Sequence, residues 1–147
     1  MNLKQRLEQD LLSAMRAKDD IRRNVLRLAL TNIKLQEVEK SSVLEEIAIQ
    51  MILQKEVKTR KEVIEESRNA SRSDLMDFAQ KELAVLLEYL PEPLNNNELS
   101  DLIHQCIVDL GATSVKETGK VIKEVISRAA GRASNEQIST KVRELLV

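Results

Sequence analysis

The sequence predicts an all-α protein, and three observations carry that prediction. Apolar residues recur every three to four positions through most of the chain, the spacing that lines one side of a helix. Helix-start signals, a serine three residues ahead of a glutamate or glutamine, stand before two of these runs, at Ser42 and Ser134. Both prolines, Pro91 and Pro93, fall in one short segment. The expected architecture is an N-terminal helical lobe of about four helices over residues 1–94, followed by a small C-terminal three-helix lobe over residues 95–147.

The elements follow in order. Leu3, Leu7, Leu11 and Met15, widened by Leu12 and Ala14, place an apolar stripe on a first helix that ends near Lys18. Asp20 is the expected cap of a second helix from Ile21 to about Lys40, with Val25, Leu28, Ala29 and Ile33 inward. Ser42 and Glu45 have capping-box spacing ahead of a third helix running to about Asn69. This helix grows more charged as it proceeds, and Glu56–Arg60, Lys58–Glu62 and Lys61–Glu65 sit four apart. Its second half is therefore expected to be mostly solvated and supported by pairs worth about 0.2–0.5 kcal/mol each. Ser71 or Ser73 caps a fourth helix to Glu88, with Leu75, Phe78, Ala79, Leu83 and Leu86 on one face.

Tyr89-Leu90-Pro91-Glu92-Pro93 then breaks the pattern, because the two prolines remove backbone donors and restrict the residues before them. Beyond Asn95-Asn96-Asn97, the residues Leu99, Leu102, Ile103, Cys106, Ile107 and Leu110 define a fifth helix, with Gly111 placed as a left-handed cap. Thr113 or Ser114 opens the next element, where Val121, Ile122, Val125 and Ile126 form an apolar arc and Lys116, Lys120 and Lys123 lie on the opposite side. Gly119 marks either a kink or a place where another backbone comes close. Gly131 ends the helix, and Ser134 with Gln137 begins the last one, which carries Ile138, Val142, Leu145 and Leu146.

Composition narrows the function classes. Charged residues make up 32% of the 147 positions, yet the formal net charge is only −1, so an electrostatic partner must be met by a local patch. The single cysteine, Cys106, lies within an apolar stripe and reads as a buried, inert thiol; the single histidine, His104, falls on a polar side between acids. No metal site, cofactor or catalytic residue is expected, since phosphate-loop, dinucleotide and metalloprotease patterns are absent. The chain lacks a run of the roughly 20 apolar residues that span a bilayer, and a cytoplasmic protein with no membrane partner is expected. Phe78 and Tyr89 are the only aromatic residues, so any nucleic-acid recognition must rely on backbone charge and shape. The candidate binding residues are Lys120, Lys123, Arg128, Gly131, Arg132 and Lys141.

Several short fragments, in order along the whole chain, carry a resemblance. They are Ala14-Met15-Arg16-Ala17-Lys18-Asp19, Val25-Leu26-Arg27, Arg60-Lys61, Arg72-Ser73-Asp74-Leu75, Tyr89-Leu90-Pro91, Gly119-Lys120-Val121 and Gly131-Arg132-Ala133. With them the chain resembles the YqeY-like proteins, whose region also occurs as the C-terminal tail of the B subunit of the glutamine-dependent aminoacyl-tRNA amidotransferase. The resemblance implies an all-helical fold and an accessory associated with tRNA or other structured RNA, without an active site of its own. It also implies a link to carbon–nitrogen ligase chemistry with glutamine as amide donor, performed by parts this chain lacks. One departure is local: Ala130 and Ser134-Asn135 stand where related proteins often carry a lysine before the Gly-Arg-Ala turn and Asp-Gly after it. A second expectation from a different class is a protein-binding adaptor that docks on an amidotransferase, a synthetase or another enzyme.

Overall fold

The computed structural model describes residues 1–146. Among the described residues there are seven α-helices, one 3₁₀ turn and no strand. The chain divides into two compact units, one over Met1–Leu90 and one from Pro91 onward.

The first unit contains α1 (Leu3–Arg16), α2 (Asp20–Lys40), α3 (Glu46–Asn69) and α4 (Ser73–Leu87). Leu7, Leu26, Ile33, Leu53 and Leu86 are fully buried in its core. α1 is capped by Asn2, whose side chain accepts the Gln5 N–H at 2.9 Å. Lys4 pairs with Glu37 at 2.8 Å and so ties α1 to α2. The other oxygen of Glu37 accepts the Leu44 N–H at 3.0 Å. Lys4 first, and then this backbone donor, hold the Glu37 carboxyl below the usual carboxylate range. The capping box expected from Ser42 and Glu45 does not form: the Ser42 N–H that Glu45 would accept donates to the Glu37 carbonyl at 3.1 Å, and α3 begins at Glu46 without a side-chain cap. At α2 the cap is Asp19, one residue before the expected Asp20.

On α3 the correction concerns one pair, Glu56 and Arg60, rather than the helix as a whole. Its buried positions, Ile49, Leu53, Val57, Arg60, Ile64 and Ser67, keep a spacing of three and four along the whole helix, and α4 packs along it. The second half is mostly exposed, as expected, but Arg60, Ile64 and Ser67 continue the buried stripe through it. Arg60 is only 8% exposed. It bonds to Glu56 and reaches Glu82 on α4 at 3.5 Å, while Glu56 also accepts from Asn32 Nδ2 on α2 at 2.6 Å. An i,i+4 pair that looks like a surface pair has become a polar knot linking three helices.

Several apolar residues expected in the core face outward instead. Leu28, Leu75, Phe78 and Met15 are exposed, whereas Leu26, outside the predicted stripe, is fully buried.

Tyr89 closes the unit. Its hydroxyl donates to Asp10 Oδ2 at 2.6 Å, and the Arg6 guanidinium lies 4.8 Å from the ring centroid. Arg6 also donates to the Glu88 carbonyl at 3.0 Å, and Arg22 pairs with the Glu88 carboxylate at 2.6 Å. Burial, reinforced by the Asp10 carboxylate, pushes the Tyr89 hydroxyl up to about 12. Glu88 and Tyr89 thus fasten the end of α4 to α1 and α2.

The second unit contains α5 (Asn96–Leu110), the 3₁₀ turn (Val115–Glu117), α6 (Thr118–Ala129) and α7 (Asn135–Leu145). Ile103, Cys106, Val121, Val125, Ile138 and Val142 form its fully buried centre. Asn95 and Glu98 make a capping box on α5, as Ser134 and Gln137 do on α7. Gly111 caps α5 in the left-handed region at φ 63°. Leu94, counted with the first lobe by its position in the sequence, packs on the second core and donates its N–H to the Arg132 carbonyl at 2.8 Å.

Candidate nucleic-acid interface

The candidate surface is built on α6. Val121, Val125 and Ala129 point into the core, with Ile122 and Ile126 at its edge. At 100° per residue, Lys120 and Lys123 then fall on the side opposite the core, about 60° apart, with Lys116 in the turn just before. All three lysines are exposed, and their side chains make no ion pair or hydrogen bond with any described residue. The turn that aims them is fixed by Glu117, whose carboxylate accepts the backbone N–H of Thr113 at 2.6 Å and of Ser114 at 3.4 Å.

Gly119 is the second residue of α6, directly after the 3₁₀ turn. A methyl group added there would meet nothing within 4 Å, and its φ is not in the left-handed region. Neither backbone geometry nor internal packing calls for glycine, which leaves a low, open spot beside Lys120.

The other candidate residues have different surroundings. Arg128 is held within the unit, with Nη1 2.7 Å from Asp109 and Nε 2.9 Å from Glu124. Arg128 first, and then Gln105, lower the Asp109 carboxyl, while Asp109 and Glu124 raise the guanidinium. Arg132 donates from Nε to the Glu92 carbonyl at 2.8 Å and lies 3.6 Å from Glu98. It fastens the turn after α6 to the segment before α5. Gly131, at φ 83°, follows Ala130 at φ 49°, so two successive residues take the left-handed conformation and the helix is capped by alanine rather than by the expected glycine. Lys141 on α7 pairs with Glu144 at 3.6 Å. It lines a groove of about 390 Å³ with Leu94, Leu99, Ser134 and Gln137, a groove that includes neither Lys120 nor Lys123.

The six predicted residues therefore separate into two lysines on an open helix face, two arginines engaged in internal bonds, and a glycine and a lysine elsewhere in the unit. Lys116, which the sequence places on the same side but outside the candidate binding set, joins the first group.

Cys106 is fully buried, and burial pushes its thiol up. Among the described residues, no group of three or more His, Cys, Asp or Glu side chains could hold a metal ion, and no helix is long and apolar enough to cross a membrane.

These features define a small all-helical protein of two compact units. A family model described as Yqey-like protein matches residues 4–146, and the chain belongs to that family. It is 31% identical over 144 residues to Altered inheritance of mitochondria protein 41, mitochondrial, of Pyrenophora tritici-repentis, covering 96% of this chain and 79% of that protein. Proteins of the same name from Lachancea thermotolerans and Vanderwaltozyma polyspora are also similar. The first is 36% identical over 85 residues, covering 57% of this chain and 46% of the relative; the second is 30% identical over 125 residues, covering 83% and 66%.

Proposed function

We propose that this protein is a non-catalytic accessory that binds tRNA or another structured RNA through the lysine face at the start of α6. The observation that carries the reading is the set of three unpaired cations, Lys116, Lys120 and Lys123, opposite a buried stripe, with open space over Gly119. Three amines on one helical side can straddle successive phosphates, and the N-terminal end of a helix adds partial positive charge. With few aromatic side chains, recognition rests on backbone charge and shape. Arg128 and Arg132 serve this surface indirectly, by holding α5, α6 and the preceding segment in place. In this reading the four-helix N-terminal lobe carries a smaller three-helix lobe resembling the amidotransferase tail. The protein assists a glutamine-dependent carbon–nitrogen ligase or a synthetase acting on the same RNA. The proposed location is the cytoplasm; the relatives are named as mitochondrial proteins, and imaging of a tagged chain decides between the two.

The test measures tRNA affinity against salt concentration for the parent and for the variant with Lys116, Lys120 and Lys123 all changed to Ala. The slope is expected to fall by about 0.9 for each phosphate that the variant no longer neutralises. Unchanged affinity and slope would overturn the reading.

A further inference from the structure

Residues 21–36, most of α2, contain no acid, yet carry Arg22, Arg23, Arg27 and Lys34. Arg22 and Arg23 are engaged with Glu88 and Asp20. The side chains of Arg27 and Lys34 are exposed and bond to no described residue.

The same side of the helix shows apolar residues in register. Leu28 is 43% exposed, Leu35 61% and Val38 69%, and Thr31 between them is exposed too. Scattered apolar residues on a surface need no explanation, but positions 28, 31, 35 and 38 keep the three-four-three spacing of a helix that packs on another helix. This seam lies about 150° around the axis from the inward stripe of Val25, Leu26, Ala29 and Ile33. It is therefore a second apolar face. Arg27 and Lys34 each stand immediately before a seam leucine, the flanking position where charge selects the partner in paired helices.

We propose that the outer face of α2 docks an acidic amphipathic helix of a partner protein. Its apolar residues fit against Leu28, Thr31, Leu35 and Val38, and its carboxylates meet Arg27 and Lys34. Charge matches a second copy only in part. Antiparallel pairing of two α2 helices about the middle of the seam sets Lys34 against Lys34, and parallel pairing gives Lys34 the exposed Glu39 but leaves Arg27 facing Asn32, whereas an acidic helix meets both cations. Phosphate backbones gain nothing from a row of leucine and valine between the cations, whereas protein interfaces combine apolar anchors with arginine. The proposal does not depend on RNA binding by α6.

The test uses the full chain and two fluorescent helical peptides with leucines at the seam spacing, one flanked by glutamates and the other by lysines. Anisotropy is expected to show the glutamate peptide binding about tenfold more tightly than the lysine peptide. In the Arg27→Glu, Lys34→Glu double variant, whose changes are on the surface and whose helicity is checked by circular dichroism, the preference is expected to reverse. Equal binding of both peptides by the parent, or no reversal in the variant, overturns the proposal. So does a reduced tRNA salt slope in the double variant, which would make the face a phosphate reader. A concentration-dependent dimer abolished by Leu35→Asp overturns it in favour of self-association. None of these outcomes touches the measurement on Lys116, Lys120 and Lys123, so the two readings fail separately.

Discussion

The two units end their helices in the same backbone conformation with different residues. Residues 1–90 contain no glycine, and their left-handed positions are Lys18, Ser41 and Ser71, with φ between 53° and 56°. The second unit holds all three glycines, yet only Gly111 and Gly131 are left-handed, and Ala130 joins them. The units differ in the same way over charge. The first buries an arginine with its carboxylates, whereas the second keeps the Arg128 and Arg132 pairs near the surface. The difference teaches that residue type alone assigns neither role. A glycine need not mark a turn, as Gly119 shows, and an i,i+4 ion pair need not mark a surface, as Glu56 and Arg60 show.

The sharpest break of this comparison is Arg60→Ala. It leaves Glu56 and Glu82 without their shared cation, and the first unit is expected to lose about 3–5 kcal/mol, as when one partner of a buried ion pair is removed. Chemical denaturation followed by circular dichroism reads the loss. The matched change Arg128→Ala is expected to leave the unfolding curve close to that of the parent, because solvent screens its partners. Equal effects from the two variants would erase the distinction between the units.

Tyr89→Phe comes next. Removing the hydroxyl leaves the Asp10 carboxylate short of a donor, at an expected cost of about 1–3 kcal/mol. The sign of the pH dependence follows from the folded value near 12, above the ordinary 10.0 of an unfolded chain. Between those values the folded state holds a proton that the unfolded state has released, so this contribution, intact below pH 10, is lost as pH rises towards 12. Because the chain has one tyrosine, phenolate absorbance reports its ionisation directly.

The smallest effects concern the turns and carry opposite signs. Gly111→Ala places a side chain at φ 63° where no atom lies within 4 Å, so only backbone strain opposes it, at about 1 kcal/mol. Ala130→Gly relieves the same strain at φ 49° and is expected to stabilise the second unit by about 1 kcal/mol. Thermal midpoints that moved in the same direction would show that packing, rather than backbone conformation, governs these caps.

What the sequence made legible was local. The capping box of Ser134 and Gln137, the left-handed Gly111, the burial of Cys106 and the proline break after Leu90 all follow from residues within a few positions of one another. What it hid depends on distant partners. Arg60 becomes buried because Glu82 and Asn32 come from helices 22 and more residues away along the chain. Arg128 is drawn to Asp109, 19 residues distant, and Arg132 to the Glu92 carbonyl, 40 residues distant. Periodicity finds a helix but does not say how wide its covered arc is, which is why it places Leu28 and Phe78 inside. For the lysines of α6 the same logic runs in favour of the sequence: an apolar stripe on one side of a short helix is enough to place Lys120 and Lys123 on the other.

Cys106 has a further consequence. A thiol with no exposed surface reacts with a soluble reagent only when the second unit opens, so its labelling rate in the native protein is a clock for that opening. Tyr89 gives the first unit its own optical reporter. The chain therefore carries one intrinsic reporter in each unit, and the breathing of each can be timed separately without attaching a dye or altering a residue.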